Sequence, residues 1–184
     1  MEATEILKKE HRIIERVIAS LEVAAGRLSA GESVSPQIFI MAADFIQGFA
    51  DGCHHRKEEG VLFPAMEAAG VPRQGGPIGV MLAEHEQGRH FTAGMRAAAE
   101  RLAAGETDAR ETLAENALGY VALLRGHIAK EDNILFVMAG RFIAGPAQAE
   151  LSAEFDRIEK EETGEGVHER FLALADTIAK EVAR

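Results

Sequence analysis

A chain of 184 residues, 47% hydrophobic and 27% charged, has the length and make-up of one globular domain with a substantial core. Its formal charge of −10 argues against a nucleic-acid backbone or an anionic membrane surface as partner. A single cysteine, Cys53, excludes an intrachain disulfide framework; with no apolar signal core at the amino terminus and no run of spanning length, the expected setting is the cytoplasm.

Few aromatics, no Trp and abundant Ala favour packed helices over strands. Leu7, His11, Ile14, Ile18 and Leu21 recur at steps of three and four, which predicts a first helix to about Leu28. Ser35-Pro36 reads as the N-cap and first residue of a second helix running to about Ala69, where Gly70-Val71-Pro72 stops it. Pro64 lies inside that helix and should bend it, because it lacks an N–H and crowds the preceding turn. After a Gly/Pro-rich loop to Pro77, a third helix places Ile78, Met81, His85, Thr92, Met95, Ala99 and Leu102 on one stripe. The turn from Gly105 to Asp108 leads into a fourth helix to about Ala139, with Leu113, Ala117, Tyr120, Leu124, His127, Glu131 and Met138 in line. Such helices with short connections predict an all-α, up-down-up-down four-helix bundle over residues 1–140. Residues 141–184 add a C-terminal helical extension. It has a helix from Gly145-Pro146 to about Glu162, a break from Thr163 to Gly166 and a last helix from Val167, expected to pack on the bundle as a hairpin.

The two halves of this bundle repeat one pattern. Glu10-His11 is followed by His54-x-x-Lys57-Glu58-Glu59-x-Val61-Leu62-Phe63, and Glu84-His85 by His127-x-x-Lys130-Glu131-Asp132-x-Ile134-Leu135-Phe136. Helix positions four apart are separated by about 40°, so His54 shares a face with Glu58, and His127 with Glu131. His11 and His85 fall in the apolar stripes of the first and third helices. Each helix thus sends a His inward, and two of them add a Glu. Buried imidazoles and carboxylates are expensive unless paired or bound to metal, so this set points to an ion. Imidazole plus carboxylate without thiolate suits iron, manganese or zinc. Two Glu fit bridges between two ions, each ion holding two imidazoles and keeping open positions for O₂, NO or peroxide.

The Glu10-His11-x-x-Ile14 start, the segment HHRKEEGVLFP at 54–64, EHEQGR at 84–89 and HIAKEDNILF at 127–136 resemble the hemerythrin-like HHE cation-binding family, in that order and spacing. The resemblance covers about residues 5–140. It implies a four-helix bundle with a cofactor of two non-heme iron ions, bridged by carboxylates and an oxo or hydroxo group, with manganese or zinc ranking behind iron. His11 and His54 would serve one iron, His85 and His127 the other, and Glu58 and Glu131 would bridge. Oxygen-carrying members have a further His one turn after the third-helix ligand, where this chain has Arg89. His90 follows it but points about 140° away from His85. That departure resembles the branches linked to NO, peroxide or iron–sulfur repair chemistry rather than a strict O₂ carrier. The second motif also has Val137 in place of Pro64, so its helix should run straighter.

Other residues stand near this set. His55 and Glu59 form a second pair, rotated about 100° from His54 and Glu58. They would replace the first pair if the register were shifted by one; otherwise His55 belongs at the helix edge. Asp132 is an alternative bridge. Tyr120, two turns before His127, would either hydrogen-bond a bound small molecule or be a satisfied core residue. Glu15 is either an acceptor orienting an imidazole or an exposed carboxylate. His168 would dock with Phe171, Leu172 and Ala175 on the bundle, within reach of the open end of the site. Cys53 reads as a small core residue. Two functions remain open: reversible binding of O₂, NO or peroxide for sensing, storage or delivery, or a di-iron oxidoreductase reducing the same molecules with electrons from a donor protein. Iron donation for repair of iron centres is a third. No residue is assigned a catalytic role.

Overall fold

The structure, a computed structural model, describes residues 2–143, 145–164 and 166–184. Helix α1 spans Ala3–Ser29 and buries Leu7, His11, Ile14, Ile18 and Leu21, the stripe the spacing predicts. Helix α2 covers residues 36–68 and starts after Ser35 with Pro36 in its first turn. It ends before Gly70, whose φ of 97° is the left-handed stop that glycine adopts without penalty. Helix α3 spans Pro77–Ala103, and α4 covers residues 109–142. Helix α1 packs on α2 and α4, and α3 on the same two, closing an all-α bundle with no strand among the described residues. Among those residues no helix is long and apolar enough to cross a membrane.

Two of the four helices are not uniform. Within α2, Pro36–Phe45 is α-helical, Ile46–His55 and Glu58–Leu62 are π-helical, and Phe63–Ala68 is α-helical again. Within α4, only Glu131–Leu135 is π-helical. Wide turns of this kind are rare and take up an extra residue, so successive side chains are separated by less than the roughly 100° of an α-helix. Each bridging-candidate Glu opens such a turn. Val137 replaces Pro64 in α4, yet the turn before it is the same, so proline is not its cause.

The apolar core is in two parts. One cluster, with Leu21, Leu28, Phe39, Phe45, Met95 and Leu113, fills the end of the bundle where α1 terminates. The other, with Leu7, Leu62, Phe63, Met66, Leu135 and Phe136, fills the opposite end. Buried His and Glu side chains lie between them.

The tail differs from the expected hairpin. Helix α5 covers residues 146–163, α-helical over Pro146–Arg157 and π-helical over Ile158–Thr163, and α6 spans Val167–Val182. Leu151 and Phe155 share the cluster of Ala3 and Leu7. Further along α1, Arg16 pairs with Asp176, and Arg27 Nη1 donates to Val182 O at 3.1 Å. The two tail helices thus follow one another along α1 in the same direction as a broken fifth helix, instead of folding back on each other. Gly48 of α2 makes this possible, because a Cβ there would overlap the ring of Phe171.

Candidate metal centre

Seven buried polar side chains meet between the two apolar clusters: His11, His54, His55, His85, His127, Glu58 and Glu131. They form two groups, His11–His54–Glu58–Glu131 and His55–Glu58–His85–His127, and within each group the candidate ligand atoms lie within 4.8 Å of one another. Glu58 belongs to both. The six residues expected from the repeat are therefore brought together, with one addition. His55 does not sit at a helix edge: its ring stacks on His85 with centroids 3.8 Å apart. It also does not displace His54. His54 and His55 both face inward at the end of a π-helical stretch, as the matching His127 and Ile128 do in regular α-helix.

Every imidazole is held from behind by a carboxylate on its Nδ1. His11 pairs with Asp132 at 2.8 Å, His54 with Glu10 at 2.9 Å, His55 with Asp51 at 2.8 Å, His85 with Glu59 at 2.8 Å and His127 with Glu84 at 2.9 Å. With Nδ1–H donating outward, a neutral imidazole at each position turns its Nε2 lone pair to the interior, the tautomer a metal needs. The Nε2 atoms of His85 and His127 approach to 3.1 Å. His11 Nε2 lies 3.1 Å and His127 Nε2 3.3 Å from Glu131 Oε2. His85 Nε2 is 3.4 Å from Glu58 Oε2. Yet among the described residues His54 Nε2, both oxygens of Glu58 and Glu131 Oε1 have no hydrogen-bond partner. Buried polar atoms are rarely left so, and atoms of these types aimed at one centre fit cations between them.

The electrostatics agree. Burial pushes the Glu131 carboxyl up, but His127 and His11 outweigh it and hold it far below the usual range. Burial disfavours charge on His85, yet Glu58 and Glu59 raise its pKa to about 9. His11 and His127 are raised against burial in the same way, by Glu131 first. Two buried carboxylates thus draw positive charge into the cluster. His55 is the exception: burial, then His85 and His54, push it well below its ordinary value and leave it neutral. Its partner Asp51 is raised by burial to about 6 against the pull of Arg89 and His85.

The remaining candidates lie outside the ligand group. Asp132 does not bridge; it is shared between His11 and Arg12. Glu59, held down to about 2 chiefly by its hydrogen bond to His85, also accepts from Arg89 Nη2 at 2.6 Å. Glu15 faces solvent beside Arg12 at 3.1 Å. His90 is exposed, with Nδ1 2.8 Å from Glu86 O. His168 stands on the ring of Phe49, with Nδ1 3.5 Å from Glu159 Oε1. Glu10, Glu159 and His168 also converge, but the Lys57 ammonium already pairs with both carboxylates, 3.2 Å from Glu159 Oε2. Tyr120 is buried, and its hydroxyl has no partner among the described residues. Sequence reasoning missed the orienting roles of Glu10, Glu84 and Asp51. The first two stood in view as the repeated Glu-His pair; Asp51 was signalled only by lying four residues before His55.

The family described as Hemerythrin HHE cation binding domain matches residues 2–139 of the chain. Uncharacterized proteins of Mycobacterium bovis and of two strains of Mycobacterium tuberculosis are each 27% identical over 177 residues, covering 96% of this chain and 68% of theirs. No solved structure matches the chain.

Proposed function

Because the chain belongs to the hemerythrin HHE cation-binding family, we propose that its buried cluster holds two iron ions and binds a small ligand, O₂, NO or peroxide, for sensing, storage or delivery. The observation that carries this reading is the set of five imidazoles held by carboxylates on Nδ1 and turned by Nε2 toward carboxylate oxygens that have no other partner. His11 and His54 would hold one ion and His55, His85 and His127 the other, with Glu58 shared by both groups and Glu131 reaching His11 of the first and His127 of the second. When bound, iron supplies open positions and accessible oxidation states. The chain supplies fixed imidazole orientations and a dry setting between two apolar clusters. Manganese or zinc would fit the same donors less specifically.

A second reading, a di-iron oxidoreductase fed by a donor protein, is favoured by the Tyr120 hydroxyl. Buried and without a partner among the described residues, it is available to donate to a bound ligand. An optical spectrum of anaerobically iron-loaded protein, taken before and after O₂ is admitted, separates the two. A charge-transfer band that appears with O₂ and vanishes on its removal supports reversible binding. Irreversible oxidation favours the enzyme. Failure to retain about two irons per chain rejects both.

A further inference from the structure

The internal repeat is broken at three positions near the centre, and those three side chains touch. By the register of the motifs, His55 matches Ile128, Asp51 matches Leu124 and Arg89 matches Glu15. Asp51 accepts from His55 Nδ1, and Arg89 Nε lies 3.5 Å from Asp51 Oδ1. Arg89 also donates to Glu59, which holds His85. One guanidinium therefore spans the two carboxylates that support the two stacked imidazoles of one metal position.

Outside this trio lies a surface cleft of about 750 Å³, walled by Asp51, Glu59, Arg89 and Gly60 on the bundle side and by Glu154 and Ile158 of α5. Its floor is one side chain away from His55 and His85, which are themselves buried. Other hollows among the described residues reach the centre less directly: one of about 710 Å³ touches Glu84 and one of about 360 Å³ touches Asp132, a single orienting carboxylate each.

Resting on the metal reading above, the geometry points to this cleft as the route by which the small ligand reaches the centre, with Arg89 as the residue that restricts it to molecules of a few atoms. The guanidinium clamps Asp51 and Glu59 together across the passage. A diatomic molecule or peroxide passes between them, while a chelator does not. Gly60 offers an independent handle. A Cβ there meets nothing within 4 Å, so a larger side chain can be added facing the cleft without a clash at its first atom and without removing a ligand or an orienting carboxylate.

The test uses the full chain loaded with iron, NO as the small probe and EDTA as the bulky one. Arg89→Ala should speed iron removal by EDTA about tenfold or more, the scale of losing a charge-assisted pair. The gain should rise with EDTA concentration, whereas a merely loosened site would release iron at a rate independent of it. Gly60→Phe should slow NO binding, followed by its optical change, by a comparable factor. Arg12→Ala and Lys130→Ala, which remove the cations paired with Asp132 and Glu84 beside the other two hollows, should leave both rates within about twofold. The proposal is overturned if Gly60→Phe binds NO at the wild-type rate, if Arg89→Ala gains no EDTA-dependent release, or if Arg12→Ala or Lys130→Ala accelerates release equally. Gly60→Phe decides the matter even if Arg89→Ala cannot be loaded. A wild-type chain that takes up no iron overturns the metal reading itself, which is visible at loading.

Discussion

The α1/α2 half and the α3/α4 half of the centre carry the same devices down to individual oxygens. Glu10 gives Oε2 to His54 and Oε1 to Lys57; Glu84 gives Oε2 to His127 and Oε1 to Lys130. Their surroundings are nevertheless different. The tail lies over α1 and α2, so Lys57 is fully buried while Lys130 is 40% exposed. Of α2 and α4, only α2 has an extra π-helical stretch, which ends at His55, where α4 has the equally buried Ile128 in regular α-helix. A duplicated motif thus presents two inequivalent groups of candidate ligands, differing by His55 on the inside and by an added helix on the outside.

Removing a carboxylate should expose that inequivalence most strongly. Glu58 belongs to both ligand groups; Glu131 belongs to one, and only its Oε2 also lies near the other, 3.3 Å from His127 Nε2. Glu58→Ala is expected to leave the chain without bound iron, and Glu131→Ala to retain about one iron per chain. Metal analysis after gel filtration checks this; equal losses would mean the two carboxylates bridge equally and the centre is symmetric.

The two lysines test the outer difference. Lys57→Met strands the Glu10 carboxylate in the interior, and breaking a buried pair from one side costs about 3–5 kcal/mol. Lys130→Met removes a partly exposed partner and should cost about 0–1 kcal/mol. Urea unfolding of the metal-free protein measures both, and similar losses would show that the tail does not insulate the first half.

His55→Ile installs the residue found at the matching position of α4 and should weaken one metal position roughly tenfold to a hundredfold while sparing the other. Iron titration would then show one tight and one weak step. Two unchanged steps would return His55 to a packing role.

How much of this was legible follows from what each feature depends on. The bundle and its inward His and Glu depend on apolar spacing and on a motif repeated in register, both visible in the sequence. His55 was expected at the helix edge because an α-helical wheel places it about 100° from His54, yet the matching Ile128 is interior even in regular α-helix. Nothing in the residues around Ile46–His55 announces a π-helix by composition. The orienting carboxylates were half legible: Glu10 and Glu84 precede their own His but serve the His of another helix, a link only tertiary structure makes. The tail's course was misjudged because a glycine-rich break suits a hairpin as well as an interrupted helix. The observed course requires the room that Gly48 leaves for Phe171 on α2.

The mildest substitutions sharpen the same contrast at the surface. Val61 on α2 packs against the apolar cluster shared with Leu151 and Phe155 of the tail, whereas its match on α4, Ile134, is 55% exposed. Ile134→Lys should alter stability by no more than about 0.5 kcal/mol, as expected for a surface position without partners to lose. Val61→Lys should cost roughly 1 kcal/mol, because the lysine stem can still cover apolar surface while its head escapes into the adjacent cleft. Thermal unfolding of the two variants side by side reads the difference. If both are neutral, the cover over α2 contributes little apolar contact at this point, and the burial of Lys57 must come from its ion pairs with Glu10 and Glu159 alone.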